Sequence, residues 1–211
     1  MYRWETCAAI ARRKVIAIVR TAAADEAWTA VERLVASGVF IVEVSYTTPG
    51  AVDVIERACR ELDAEVVVGA GTVLDATSAR LAVLAGARFL VAPTFDRGVL
   101  ETGHRYGAAV VPGAGTPTEA LAALEAGADL VKLFPASAYG PDGLRDIVRA
   151  LPQLPVVPTG GVTVEKASAW MRAGAVALGM GSALSQGSQS EAVSRVGALH
   201  RALGVVPAAR P

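Results

Sequence analysis

One succession recurs along the chain and constrains its fold more than any other feature. A helical segment ends in glycine, and a short apolar run follows directly, as Ala36-Ser37-Gly38 precedes residues 39–44. Glycine ends helices because it adopts the left-handed backbone conformation without steric penalty. The segments between the runs repeat apolar residues three and four apart, which predicts helices. The same succession occurs at Gly86, Gly107, Gly127 and Gly174. We therefore expect helices that alternate with short buried strands.

Eight apolar runs have the length of a strand, and a helical segment follows each one. They cover residues 15–19, 41–45, 66–70, 89–92, 108–111, 130–133, 156–159 and 176–179. A further helix is expected near residues 3–13. Eight alternating units predict an α/β fold, namely a single (β/α)8 TIM barrel whose extra N-terminal helix covers the bottom. The alternative is an open doubly wound sheet, which rarely needs eight evenly spaced units.

The chain shows no sign of division into several domains. No linker or low-complexity stretch interrupts the 211 residues, a length that suits one domain with a sizeable core. We expect a single TIM-barrel domain over residues 1–211, with the barrel at about 15–187 and a C-terminal helix at about 189–203. Hydrophobic residues make up 53% and charged residues 19%. This balance is typical of strands buried on both faces.

Charge and hydropathy limit the classes of partner. The formal net charge is +0, so neither nucleic acid nor an anionic membrane is indicated as a partner. No apolar run approaches the ~20 residues needed to span a bilayer. The basic residues 12–14 precede only five apolar residues, which is too short for a signal peptide. Cys7 and Cys59 are too few for a disulfide framework. We expect a cytoplasmic protein with a small-molecule substrate.

Two charged residues interrupt apolar strands. Lys132 is one of only three lysines, and Glu43 lies within another apolar run. Both belong to even-numbered predicted strands, which place side chains in a common layer of a TIM barrel. Burial of either residue alone is unfavourable, so pairing or function must compensate for it. One interpretation is a structural ion pair inside the barrel.

The other interpretation is catalytic. Burial lowers the pKa of a lysine, which can then act as a neutral nucleophile and form an iminium with a ketone. Glu43 would transfer protons during these steps. Metal-dependent aldol cleavage usually needs several histidines, and only His104 and His200 are present. We expect both at the surface of outer helices. The sequence therefore predicts a Schiff-base enzyme without a metal or other cofactor.

Glycine-containing loops follow the seventh and eighth predicted strands, where TIM barrels often bind phosphate. Each loop alone is as typical of a tight turn, but the two together predict a phosphate site. The residues are Thr159, Gly160 and Gly161 in one loop, and Gly181 and Ser182 in the other.

Two further residues are candidates for binding a substrate carboxylate. Arg20 ends the first strand and could bind in bidentate fashion, or it forms a salt bridge at the rim. Thr72 follows Gly69-Ala70-Gly71, and its hydroxyl could donate a hydrogen bond. This glycine motif is not a dinucleotide fingerprint, because Leu74 stands where the third glycine would be required.

Six motifs in order resemble the class I 2-keto-3-deoxy-6-phosphogluconate (KDPG) aldolases and their 4-hydroxy-2-oxoglutarate and phosphogalactonate relatives. The resemblance covers about residues 15–187. The motifs are residues 16–20, 42–49, 69–73, 131–136, 158–162 and 179–184. The resemblance implies an aldehyde-lyase that is typically a homotrimer and needs no metal.

By this resemblance Lys132 is the Schiff-base lysine and Glu43 the general acid and base. Arg20 and Thr72 would hold the pyruvyl carboxylate, and the two glycine loops would bind phosphate. Thr47, Pro93 and Phe134 would complete the pocket. Two departures from the family pattern leave the substrate open. Thr47 stands where some members have arginine, and Lys166, which either reaches the phosphate or is a plain surface charge, stands where many have asparagine.

Three functions remain open at this point. The first is reversible cleavage of KDPG, or of its galactonate epimer or 4-hydroxy-2-oxoglutarate, to pyruvate and an aldehyde. The second is a sugar-phosphate epimerase that uses Lys132 and Glu43 only for proton transfer. The third is a non-catalytic protein that binds a phosphate ligand.

Overall fold

Strands and helices alternate through most of residues 2–205, the part of the chain that the computed structural model describes. The strands are β1 Val15–Val19, β2 Ile41–Ser45, β3 Val67–Gly71, β4 Phe89–Val91, β5 Ala109–Val111, β6 Gly113–Ala114, β7 Val131–Leu133, β8 Val156–Pro158 and β9 Leu178–Met180. The helices are α1 Arg3–Arg13, α2 Ala24–Ala36, α3 Ala51–Glu61, α4 Ala76–Leu84, α5 Arg97–Arg105, α6 Pro117–Glu125, α7 Gly140–Ala150, α8 Ala167–Arg172, α9 Ser182–Ser185 and α10 Gln189–Leu203, with a 3-10 helix at Ala136–Ala138.

Local sequence signals account for most of these boundaries. Gly38, which follows α2, has a φ of 99°, in the left-handed region that glycine tolerates. Gly86, Gly107, Gly127 and Gly174 also have positive φ, which confirms the predicted helix ends. At the start of α6 the Thr116 hydroxyl accepts a hydrogen bond from the Glu119 N–H, and this satisfies one free donor of the first turn. The helices predicted at 3–13 and 189–203 are both confirmed as α1 and α10.

The prediction of one closed eight-stranded barrel is wrong. The strands form two parallel sheets, a curled six-stranded sheet in the order β5-β4-β3-β2-β1-β9 and a three-stranded sheet in the order β6-β7-β8. Pro112 separates β5 from β6; it has no N–H to donate to a ladder. The Gly113 N–H donates to the Thr94 carbonyl instead. On the other side, the two sheets meet at a bridge between Thr159 and Gly179 and at a hydrogen bond from the Val176 N–H to the Val156 carbonyl at 2.9 Å.

The core has two layers because strand side chains alternate between faces. One layer lies between the sheets and the surrounding helices. The other lies inside the curl and contains residues from both sheets, among them Ile16, Ile41, Phe89 and Leu130. Ile10 of α1 is fully buried in this inner layer. The helix therefore covers the amino-terminal ends of the strands, as predicted.

The last helix, α10, packs back onto the segment that follows α1. Lys14 follows α1, and its Nζ donates a hydrogen bond to the Leu203 carbonyl at the end of α10, at 2.7 Å. Residues 1 and 206–211, the outer limits of the predicted domain, lie outside the described part of the chain. Within residues 2–205, none of the helices combines the length and the apolar character needed to cross a bilayer.

Candidate active site

The inner face of the strands changes from apolar to polar toward their carboxyl ends. Side chains two residues apart share a face, so each inner core residue is followed by one that points the same way. Four such series lead from the inner core to polar groups: Ile16 to Arg20, Ile41 to Glu43 and Ser45, Leu130 to Lys132, and Val157 to Thr159. Carboxyl ends of parallel strands are the usual place for a site in such folds.

Lys132 and Glu43 are both buried, with relative exposures of 4% and 2%. Burial lowers the pKa of Lys132; the Glu43 charge opposes this shift, and the Arg20 charge adds to it. Burial raises the pKa of Glu43, and the charges of Lys132 and Arg20 oppose that shift. Each group's charge acts on the other's pKa, so the two predicted residues are neighbours. Both shifts favour the neutral forms, which are the lysine free amine and the carboxylic acid.

A structural ion pair does not describe this arrangement. The salt bridges within residues 2–205 do not join Lys132 to Glu43. The Lys132 Nζ instead lies 5.0 Å from the centroid of the Phe134 ring. No carboxylate within residues 2–205 forms a salt bridge with this nitrogen.

Glycines make room for the buried side chains. A Cβ atom at Gly71 would overlap the carboxylate of Glu43, which lies directly over this part of β3. A Cβ at Gly179 would likewise overlap the Thr159 hydroxyl. These close approaches explain why glycine is required at both positions. They also fix Glu43 between β2 and β3.

An open cleft of about 970 Å³ reaches from Lys132 to the outer loops. Its volume suits a small organic ligand. Among the predicted site residues, the cleft is lined by Arg20, Lys132, Phe134, Thr159, Gly160, Gly161, Gly181 and Ser182. The structure thus brings the lysine, the arginine and both glycine loops around one space.

Four predicted residues do not line this cleft. Glu43 is buried with its carboxylate against Gly71, and Pro93 packs with its backbone against Gly113. Thr47 and Thr72 belong to a hydroxyl cluster around Ser45, in which the Ser45 Oγ lies 2.9 Å from each threonine Oγ1. The sequence places Ser45 at the end of a strand but gives it no role, because serine is common at strand ends.

The sequence reasoning also missed one wall of the cleft. Asp25, Glu26, Thr29 and Arg33 on α2 line it. Arg33 donates hydrogen bonds to the carbonyls of Ser185 and Gly187, the latter at 2.6 Å, and so connects α2 to the end of α9. The available signal was that α2 directly follows β1, whose carboxyl end carries Arg20.

The structure also locates the two histidines, which were predicted at the surface, and Lys166. His200 is 8% exposed, so its predicted surface position is wrong; it shares the buried face of α10 with Val196 and Leu203. His104 is half-buried and lies 3.0 Å from Asp129. Lys166 is exposed and does not line the cleft. Across residues 2–205, no cluster of three or more His, Cys, Asp or Glu side chains is arranged to hold a metal.

Three comparisons with known proteins identify the family. The KDPG and KHG aldolase model matches residues 7–199. The 2-dehydro-3-deoxy-6-phosphogalactonate aldolase of Escherichia coli (strain K12) is 34% identical over 189 residues, 89% of this chain and 90% of the relative. A native KDPGal structure, 33% identical, superposes with a TM-score of 0.83 over 90% of this chain and 94% of its own.

A third relative adds a covalent intermediate. The KDPG aldolase of Legionella pneumophila, solved with pyruvate captured as a covalent carbinolamine, is 27% identical. It superposes with a TM-score of 0.77 over 94% of this chain and 97% of its own. A buried lysine with a lowered pKa beside a carboxyl group agrees with this class of chemistry. The chain therefore belongs to the KDPG and KHG aldolase family, whose members are class I aldolases and thus lyases.

Proposed function

We propose that this aldolase cleaves 2-keto-3-deoxy-6-phosphogluconate reversibly to pyruvate and glyceraldehyde 3-phosphate. The observation that carries the proposal is the buried Lys132, whose pKa is lowered by burial, at the inner end of the cleft. A neutral amine is the form that adds to a ketone. The Legionella relative, captured with pyruvate as a carbinolamine, supports the same first step.

Lys132 and Glu43 would share the chemistry. The Lys132 Nζ attacks the C2 ketone to give a carbinolamine. The Glu43 acid then protonates the carbinolamine hydroxyl, which leaves as water, so that an iminium and the Glu43 carboxylate remain. Glu43 takes the proton of the C4 hydroxyl as the C3–C4 bond breaks. The bonding pair moves into the iminium, giving an enamine and the free aldehyde. The Glu43 acid then protonates C3, and water hydrolyses the new iminium to pyruvate and free Lys132.

The two ends of the substrate would meet different parts of the site. Arg20 and Thr72 are proposed to bind the carboxylate next to the ketone, because charge-assisted hydrogen bonds fix its orientation. The loops containing Gly160, Gly161 and Gly181 are proposed to bind the phosphate through backbone N–H groups, with the hydroxyls of Thr159 and Ser182. Arg20 and both loops line the same cleft as Lys132, which supports their part of this assignment. The role of Thr72 rests on the family resemblance.

The galactonate epimer of the substrate is a second candidate. The E. coli relative at 34% identity is a phosphogalactonate aldolase, which favours this epimer. The epimers differ at C4, whose hydroxyl lies next to the bond that breaks. Kinetics on both epimers and on 4-hydroxy-2-oxoglutarate would separate the substrates, and a kcat/KM at least tenfold higher for one of them would identify it.

Two further properties follow from the family resemblance. We propose that the protein is a cytoplasmic homotrimer. Sedimentation velocity would test the assembly, since a monomer-sized particle at micromolar concentration would contradict it.

Covalent trapping is the experiment that tests the proposed function. Sodium borohydride with pyruvate should reduce the iminium and leave a stable adduct on the peptide that contains Lys132, and Lys132→Arg should abolish it. The peptides with Lys14 and Lys166 serve as internal controls, because neither residue lines the cleft. An epimerase or a non-catalytic ligand binder would form no such adduct. Activity that survives EDTA would agree with a metal-free reaction, whereas its loss would contradict it.

A further inference from the structure

Three hydroxyl groups form a chain at the carboxyl ends of β2 and β3. The Ser45 Oγ lies 2.9 Å from the Thr47 Oγ1 and 2.9 Å from the Thr72 Oγ1, and either oxygen of each pair could be the donor. Ser45 is completely buried, whereas Thr47 is exposed. Ser45 is therefore the central, solvent-protected member of the chain.

The backbone of Thr72 is shaped to make this contact. Strand alternation would turn the residue after Gly71 away from the inner face. Thr72 instead has a φ of 57°, a left-handed conformation that is strained for a β-branched residue. This conformation brings its hydroxyl to Ser45, which shares the inner face with Glu43. Such strain persists only where the surrounding structure holds it in place.

The segment that carries Ser45 and Thr47 is itself held firmly. The Tyr46 N–H donates to the Gly71 carbonyl at 2.8 Å, and the Thr48 N–H donates to the Ser45 carbonyl at 2.9 Å. The buried Thr48 hydroxyl accepts a hydrogen bond from the Thr21 N–H at 3.1 Å, which connects the segment to the residue after Arg20. The hydroxyl chain therefore lies on a preorganised backbone.

The number of protons sets the direction of the chain. Each hydroxyl has one proton to donate, so a Thr72 hydroxyl that donates to a substrate carboxylate must accept from Ser45. Because the Ser45 hydroxyl already donates its hydrogen bond to Thr72, it can only accept one from Thr47. We propose that Ser45 is a positioning residue that directs the Thr72 proton toward the substrate carboxylate through the chain Thr47, Ser45, Thr72. Hydrogen bonds in such a chain polarise and strengthen one another. This inference rests on the carboxylate-binding role proposed for Thr72.

Removal of the central hydroxyl should weaken pyruvate binding more than turnover. For Ser45→Ala we expect the KM for pyruvate in the addition direction to rise roughly five- to twentyfold, with a smaller change in kcat and an unchanged KM for the aldehyde. Thr47→Val, at an exposed site that tolerates the change, should also raise the pyruvate KM, but by a smaller factor. Thr47→Ser should restore the low value. Thr94→Val, an exposed threonine after β4, is the matched control.

The double variant distinguishes a relay from two separate structural effects. Once Ser45→Ala has broken the chain, Thr47→Val should add nothing, whereas independent effects would multiply. Independent multiplication would overturn the relay. An unchanged pyruvate KM in both Ser45→Ala and Thr47→Val would also overturn the relay, whatever the effect of Thr72→Val on that KM.

The relay and the proposed function can fail separately. If Ser45→Ala has a wild-type pyruvate KM while Thr72→Val raises it and borohydride still traps pyruvate on Lys132, only the relay is overturned. If the unsubstituted enzyme forms no pyruvate adduct, the proposed function and the relay are both overturned.

Discussion

At the scale of single residues, Lys132 and Glu43 depend on each other and on Arg20. Burial alone would leave two neutral groups, and the charge of each neighbour modifies that tendency. Arg20 acts on the two in opposite ways, since its positive charge favours the free amine of Lys132 and the carboxylate of Glu43. These opposite effects agree with the roles proposed for the two residues, a nucleophile and a proton-transfer group.

The first prediction concerns pH and Arg20. Only the free amine of Lys132 reacts with acetaldehyde and cyanoborohydride, so the rate of this alkylation falls as the pH drops through the pKa of Lys132. The Arg20 charge lowers that pKa, so Arg20→Gln should raise it and move the midpoint to higher pH. Acetaldehyde has no carboxylate, so the measurement does not depend on substrate binding.

The control for this experiment is Arg149→Gln, which removes an equal charge from the exposed face of α7. Its alkylation profile should match that of the unsubstituted protein. A midpoint that stays fixed or moves to lower pH in Arg20→Gln would show that Arg20 does not act on Lys132 as described.

At the scale of elements, β2 and β3 act as one unit because Glu43 lies against Gly71. The second prediction is that Gly71→Ala lowers kcat by about 100-fold or more, since the new Cβ must displace the Glu43 carboxylate. The φ of Gly71 is not in the left-handed region, so the alanine backbone itself is unstrained. Steady-state kinetics and circular dichroism would separate lost activity from lost folding.

Gly197→Ala in α10 is the matched control. Its Cβ would meet only the end of the Arg201 side chain at 3.5 Å, and alanine stabilises helix interiors by up to about 1 kcal/mol relative to glycine. This variant should keep full activity. A Gly71→Ala enzyme with normal kcat would mean that Glu43 is not held by β3 in the way described.

What the sequence could predict differs between local and tertiary features. The strands at 15–19 and 41–45 have their predicted bounds, because apolar runs and glycine ends are local signals. Lys132 could be found because a charge interrupts such a run. Whether the sheet closes into a barrel could not be predicted, because closure depends on hydrogen bonds between distant strands. The ladder of these bonds is interrupted around Pro112. The role of Ser45 was hidden for a similar reason, since it depends on the backbone conformation of Thr72.

At the scale of the whole molecule, Asp129 connects several elements at the end opposite the site. Its Oδ2 accepts a hydrogen bond from the Val110 N–H at 2.9 Å and lies 3.0 Å from the His104 Nε2. Its Oδ1 pairs with the Arg3 Nε at 3.1 Å. One largely buried carboxylate thus connects the segment just before β7 to α1, α5 and β5.

The third prediction is that Asp129→Ala lowers the free energy of unfolding by about 2–3 kcal/mol, because it leaves the buried Val110 N–H without its acceptor and removes the contacts with Arg3 and His104. Urea denaturation at neutral pH would measure the change. Asp142→Ala is the comparison, since its pair with Arg145 is exposed and contributes about 0–1 kcal/mol. Equal effects in the two variants would contradict the connecting role of Asp129.

The glycines of the inner face have a consequence for how the enzyme could be altered. At Gly69, Gly71, Gly113 and Gly179, the space of a missing side chain is already occupied by Phe89, Glu43, Pro93 and Thr159, respectively. The floor of the site is therefore tightly packed, and a larger residue at any of these glycines would force its neighbour to move. Substitutions that alter substrate range have more room farther out, along the first turns of α2, where Asp25, Glu26 and Thr29 line the cleft. Libraries directed to these positions would leave Lys132 and its buried surroundings unchanged.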